Sequence, residues 1–167
     1  MVEFDVTISE QDLFKFNIKH NYSSFNGIVT VILAIVILVI SIMSASTMEV
    51  PKLLMYLLIV LIFIVFPPVN LKLRAAQQFK GNGVFTKPLH YKLDENGVTV
   101  TSELQEEAAV LPWEYIYKVT TSKNYLYIYS SRVNAYILPK NQVMDKYSDM
   151  KSVFEKYVTD YKLGLKW

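Results

Sequence analysis

Cysteine is absent from this 167-residue chain. That removes disulfide scaffolds, thiolate metal centres, iron–sulfur clusters and cysteine nucleophiles together. Histidine is nearly absent: His20 and His90 are the two present, and neither has a carboxylate at a ligand spacing such as HExxH. No glycine-rich GxxxxGK[ST] or GxGxxG loop is present to cradle phosphate, and only five glycines occur in all. Charge of one sign is also missing. Seventeen Lys and Arg against fifteen Asp and Glu leave a formal net charge of +2, too little to bind a polyanion through the chain as a whole. No catalytic residue, cofactor site or metal site is read from the sequence, and the chain is expected to be non-enzymatic and not to bind nucleic acid.

Apolar residues, in contrast, are plentiful at 52%. From Ile28 to Met43 there is no charge, proline or glycine. As a helix, Ile28 to Ala45 is roughly 27 Å long, close to the thickness of a bilayer's hydrocarbon. A second uncharged run extends from Leu53 to Val69, after the short polar link "SASTMEVPK". A soluble core helix would carry a polar face, whereas only Thr30, Ser41 and Ser44 interrupt the first run. A signal peptide would be shorter and would not follow a patterned stretch of more than two dozen residues. The expected arrangement is two membrane spans in a helical hairpin over residues 25–69. Pro67 and Pro68 are expected to close the second helix. Ser41 and Ala45 form a small-xxx-small pair suited to helix–helix contact.

Orientation follows from the flanking cations. Lys15 and Lys19 precede the first span, and Lys72, Arg74 and Lys80 follow the second. The link offers only Lys52, so both termini are expected in the cytoplasm. Lys72, Arg74 and Lys80 are also candidate contacts for lipid headgroups, although three cations fall short of the four to eight of a recognition cluster.

Residues 1–24 read as a strand, with Val2, Phe4, Val6 and Ile8 alternating against polar neighbours, followed by a juxtamembrane helix started by Ser9 and Asp12. An isolated strand is unstable, so this one is expected to complete a sheet formed after the second span. Residues 70–81 read as a polar connector. Residues 82–167 read as antiparallel strands: a hairpin around Asp94–Gly97, an extended stretch in which Trp113, Tyr115, Tyr117 and Val119 alternate, and a hairpin from "NYLYIYSS" to "NAYILPK". Val143, Tyr147, Met150, Phe154, Tyr157 and Tyr161 then predict one helix lying on the sheet over 142–161. Glu103, Glu106 and Glu107 read as a solvated hairpin tip.

Tyr125, Tyr127 and Tyr129 share one face of a strand. They are the candidate partner surface, an aromatic platform for a peptide or lipid. The competing reading is cross-strand packing, favoured because Leu126 and Ile128 make the other face apolar as well.

The succession "FDVTISEQD", two apolar runs, "YKLDENGVTV", "LPWEYIYKV" and "YLYIYSSRVNAYILPK" resembles the bacterial YcxB-like family. Its most specific elements here are Trp113 followed by Ile116 and Val119, and the "ILPK" of Ile137 to Lys140. The resemblance covers essentially the whole chain. It implies an α+β membrane protein, multi-pass in a bacterial cell membrane: a two-helix transmembrane hairpin plus a cytoplasmic pleckstrin-homology-like antiparallel domain, a bent sheet capped by a carboxy-terminal helix. It brings no reaction and no cofactor. The expected function is a membrane-tethered binding or regulatory module with a protein partner and a capacity for homo-oligomers. The alternative is an accessory subunit of a transport or export assembly that contacts its partners through the hairpin.

Overall fold

The computed structural model describes residues 1–165; the side chain of Glu106, expected at a hairpin tip, lies outside the described residues. The chain divides into two compact units. One is formed by Met1–Leu13 together with Gln78–Trp167, the other by Phe14–Gln77.

The first unit takes its strands from both ends of the chain. β1 (Val2–Val6) pairs antiparallel with β2 (Leu89–Asp94), Phe4 opposite Tyr91 and Val6 opposite Leu89. The alternation read from the sequence is the reason: Val2, Phe4 and Val6 are buried while Glu3 and Asp5 face water. β2 continues into β3 (Gly97–Ser102) and β3 into β4 (Gln105–Leu111), giving a four-stranded sheet in the order β1-β2-β3-β4. Gly97 opens β3 at φ +139, and a Cβ there would run into the Leu111 carbonyl, so only glycine fits.

After β4 the chain departs from the extended stretch expected. Pro112 lacks an N–H for a ladder, and Trp113–Tyr115 form a single 3₁₀ turn that carries the chain into a second sheet. Trp113 and Ile116 are buried, whereas Tyr115 and Tyr117 are exposed, so the expected alternation from Trp113 to Val119 does not exist. The second sheet holds β5 (Lys118–Thr121), β6 (Tyr125–Tyr129), β7 (Ala135–Pro139) and β8 (Leu163–Gly164) in the order β7-β6-β5-β8. Among the described residues there are thus two four-stranded sheets. One pairing, β5 with β8, is parallel.

The carboxy-terminal helix is likewise shorter than expected. One turn, α4 (Lys140–Val143), and a 3₁₀ turn precede α5 (Tyr147–Tyr157), which ends where Val158 turns extended. Val143, Met150 and Phe154 are buried as the periodicity required, but Tyr161 lies beyond the helix and is exposed. The return of β8 to the edge of β5 competes with a longer helix for these residues.

The second unit begins within α1 (Glu10–Ser23), which leads to α2 (Phe25–Met43). Ser24 caps α2, its Oγ accepting from the Gly27 N–H at 3.2 Å and donating to the Asn21 carbonyl at 2.6 Å. A Cβ on Gly27 would overlap that same carbonyl. Gly27, Ala34 and Ser41 are the buried residues of α2, seven apart and hence on one face. Ala45 is exposed and lies past the helix end, so Ser41 belongs with the small residues before it and not with Ala45.

α3 (Val50–Gly81) corrects two expectations at once, because it runs unbroken through Pro67 and Pro68 and includes the stretch read as a connector. The prolines withhold two N–H donors, from the carbonyls of Phe63 and Ile64, at a typical cost of about 3 kcal/mol per interior proline. What carries the helix past them is the strong helix-forming sequence on both sides, ending in "LKLRAAQQFK".

Candidate functional site

The two chain ends are tied together at two points. Gln142, on α4, forms a reciprocal pair with the backbone of β1's exit: its Oε1 accepts from the Thr7 N–H at 2.8 Å and its Nε2 donates to the Thr7 carbonyl at 2.9 Å. Asp12 closes the second. One carboxylate oxygen accepts from Ser9 N–H (2.8 Å) and Oγ (2.6 Å), the capping arrangement that starts α1. The other accepts from the Tyr125 hydroxyl at 2.6 Å.

That bond fixes the first of the three tyrosines expected to form a platform. All three are buried, as is every residue of β6. Tyr125 and Tyr127 stack with centroids 5.8 Å apart, Tyr127 and Tyr129 follow at 6.3 Å, and the Lys118 ammonium lies 4.7 Å from the Tyr129 ring centre. Burial pushes the phenols of Tyr125, Tyr127 and Tyr129 up, and the Asp12 carboxylate adds to this at Tyr125. The row is packing within the domain and offers no open platform.

Open space lies instead between the β2–β3 turn and α5. A cleft of about 600 Å³ is lined by Lys92, Asp94, Asn96, Ser152, Lys156 and Tyr157, among others. Its floor is built around Asp94. The carboxylate accepts from the Asn96 N–H at 2.8 Å and pairs with Lys92 at 3.2 Å, and these contacts hold it below the usual carboxylate range. The Asp94 carbonyl accepts from Trp113 Nε1 at 2.9 Å. Trp113 in turn stacks on Tyr157 (5.2 Å) and meets Phe154 edge-on (6.1 Å), so turn, tryptophan and α5 set one another's positions. The sequence singles out the Asp94–Gly97 turn, Trp113, Phe154 and Tyr157, but not their meeting.

Lys72, Arg74 and Lys80 are all exposed on α3. Two residues apart on a helix, Lys72 and Arg74 project to opposite sides, so they do not form one headgroup clamp. Glu103, in the β3–β4 turn, pairs with Lys87 at 3.4 Å, whereas Glu107, expected at the same tip, is an exposed residue of β4. His90 does have a carboxylate: its Nδ1 lies 2.8 Å from Asp5 Oδ1, its cross-strand partner in β1. The two are 85 positions apart, so no spacing motif could have joined them. His20 lies against Phe16, with ring centroids at 5.9 Å. Among the described residues, no three histidine or carboxylate side chains gather in a way that could hold a metal ion.

These features define a class: an α+β domain assembled from both ends of a chain, with two helices between them long and apolar enough to cross a membrane. A family model described as YcxB-like protein matches residues 93–152, from the end of β2 to the middle of α5. Over that segment the chain is similar to the YcxB-like family. No curated protein and no solved structure matches it.

Proposed function

We propose that the chain is a membrane-anchored, non-enzymatic binding module, with the α2–α3 hairpin in a bacterial cell membrane and the domain from both chain ends in the cytoplasm. One observation carries this reading. Only 17% of the most apolar stretch of α2 and 6% of that of α3 are buried, whereas a core helix of a water-soluble protein would be mostly covered. Leu33, Ile35, Leu58, Leu61 and Ile62 all face outward, and acyl chains are the solvent in which this costs nothing. Interior prolines in α3 fit the same setting, where they are tolerated more often than in water. The two sheets closed by α5 support the pleckstrin-homology-like reading of the domain.

The test exploits the absence of cysteine. Single cysteines at Ser46, between α2 and α3, and at Asn82 and Asn124, in the domain, are probed on intact cells with an impermeant thiol reagent. Labelling is expected at Ser46 alone, with Asn82 and Asn124 reacting only after permeabilisation. Labelling of Asn82 or Asn124 in intact cells, with Ser46 protected, overturns the orientation.

A further inference from the structure

The tyrosines of β6 are covered, but three others are not. Tyr115, Tyr117 and Tyr161 are 65%, 45% and 85% exposed. They gather at one end of the second sheet. The parallel pairing of Val119 with Leu163 brings the turn Asp160–Lys162 alongside the start of β5, and Lys162 Nζ reaches the Glu114 carbonyl at 3.4 Å. The Tyr117 N–H donates to the Tyr129 carbonyl at 2.8 Å, which places Tyr117 beside the β6–β7 turn that carries Arg132. Ser131 Oγ fixes that turn, accepting from the Val133 and Asn134 N–H groups.

Charge distinguishes this sheet from the other. Between Glu114 and Asp145 there is no acidic residue, but there are four cations, of which Lys118 and Arg132 lie at this end and Lys123 and Lys140 at the opposite end of the sheet. Over β2 to β4, residues 87–111, five acids face two lysines. The sheet that exposes aromatics is therefore the basic one, with Glu114 and Asp160 at its rim.

We infer that this end of the second sheet, formed by Tyr115, Tyr117, Tyr161, Lys118, Arg132 and Lys162, docks an acidic segment of a partner protein. Tyrosine and arginine are the residues that dominate protein interfaces: large, rigid contact area at little entropic cost, with a planar cation for a carboxylate. Nucleic acid would call for a longer run of phosphate contacts than three cations with two acids at the rim supply. An anionic lipid surface is recognised by four to eight clustered cations. The inference deepens the binding-module reading and rests on it.

In the full chain in native membranes, benzoylphenylalanine in place of Tyr117 or Tyr161 is expected to form a photo-adduct with a protein segment rich in Asp and Glu, identified by sequencing the crosslinked peptide. Arg132→Glu is expected to reduce the adduct about tenfold by placing like charges together, with protease resistance of the domain unchanged. An adduct with nucleic acid, lipid, a second copy of this chain or a segment without acids overturns the inference, as does the absence of any adduct from folded protein. The same photo-residue at Asn96 and at Leu33 separates the two levels of the argument. Adducts at Asn96 but not at Tyr117 or Tyr161 sink this inference alone. Adducts at Leu33 alone sink the binding-module reading and favour the assembly subunit.

Discussion

One unit of this chain wears its leucines, isoleucines and valines on the outside, and the other hides them. In α2 and α3 most apolar side chains are exposed, and the buried residues are Gly27, Ala34 and Ser41 in α2 and Val60 and Ala75 in α3. In the two sheets Val6, Leu93, Val98, Ile116, Leu126, Ile128 and Leu138 have essentially no exposed surface. On the membrane-anchored reading, the same rule, that apolar area leaves water, produces both patterns because the solvents differ. Burial within the protein is therefore a poor index of what a residue contributes here.

The largest expected effect breaks this comparison directly. Leu93→Asp places a carboxylate where no water reaches and should unfold the domain outright, as loss of protease resistance after Gly81 would show. Leu33→Asp touches a residue that the protein leaves exposed. In water it would be nearly neutral, but at the centre of a span it costs about 2.5–3.5 kcal/mol of insertion free energy. A large drop in the membrane-extractable fraction is expected. Unchanged fractionation and stability for Leu33→Asp would erase the contrast between the two units.

A smaller effect sharpens the comparison at the tie between the chain ends. Tyr125→Phe removes the hydroxyl from Asp12 while keeping the ring, and a hydrogen bond to a charged group contributes about 1.5–3 kcal/mol. Urea unfolding of the detergent-solubilised protein, followed by tryptophan fluorescence, should show a lower midpoint. Insertion of α2 and α3 should be unaffected.

The smallest effect is confined to the acid side of the domain's stability. Asp94 titrates below its ordinary value when folded, because the Asn96 N–H and Lys92 favour its charged form. Its contribution is therefore fully present above the unfolded-state value and is lost as pH falls through the lower folded value. Asp94→Asn should flatten this acid limb and lower stability slightly at neutral pH. Parallel acid titrations of the two proteins would check it, and identical limbs would count against the role of Asp94.

Much of this was legible because it is local. The alternation of Val2, Phe4 and Val6, the Ser9–Asp12 cap, the turn at Asp94–Gly97 and the two apolar runs each lie within a few residues or a single period. What escaped was decided by competition or distance. Pro67 and Pro68 signal a helix end, but the helix formers on both sides outweigh them. Trp113 to Val119 fits a strand by alternation, yet Pro112 and the bond from Trp113 to the Asp94 carbonyl turn the chain instead. Tyr161 fits the helical period of α5 but lies beyond its end. The cleft beside Asp94 and the His90–Asp5 pair draw on residues from separate stretches, which no window of sequence brings together.

The pairing of β1 with β2 also orders events during synthesis. Val6 leaves the ribosome 83 residues before its partner Leu89. At ordinary elongation rates of ~5–20 residues per second that interval is about 4–17 s, long compared with the collapse of a small domain. For all of that time the first strand has no neighbour, and everything translated meanwhile belongs mostly to the hairpin. On the membrane-anchored reading, the two spans are delivered to the bilayer before the domain can close, so the nascent amino terminus waits at the membrane surface until β2 emerges beside it.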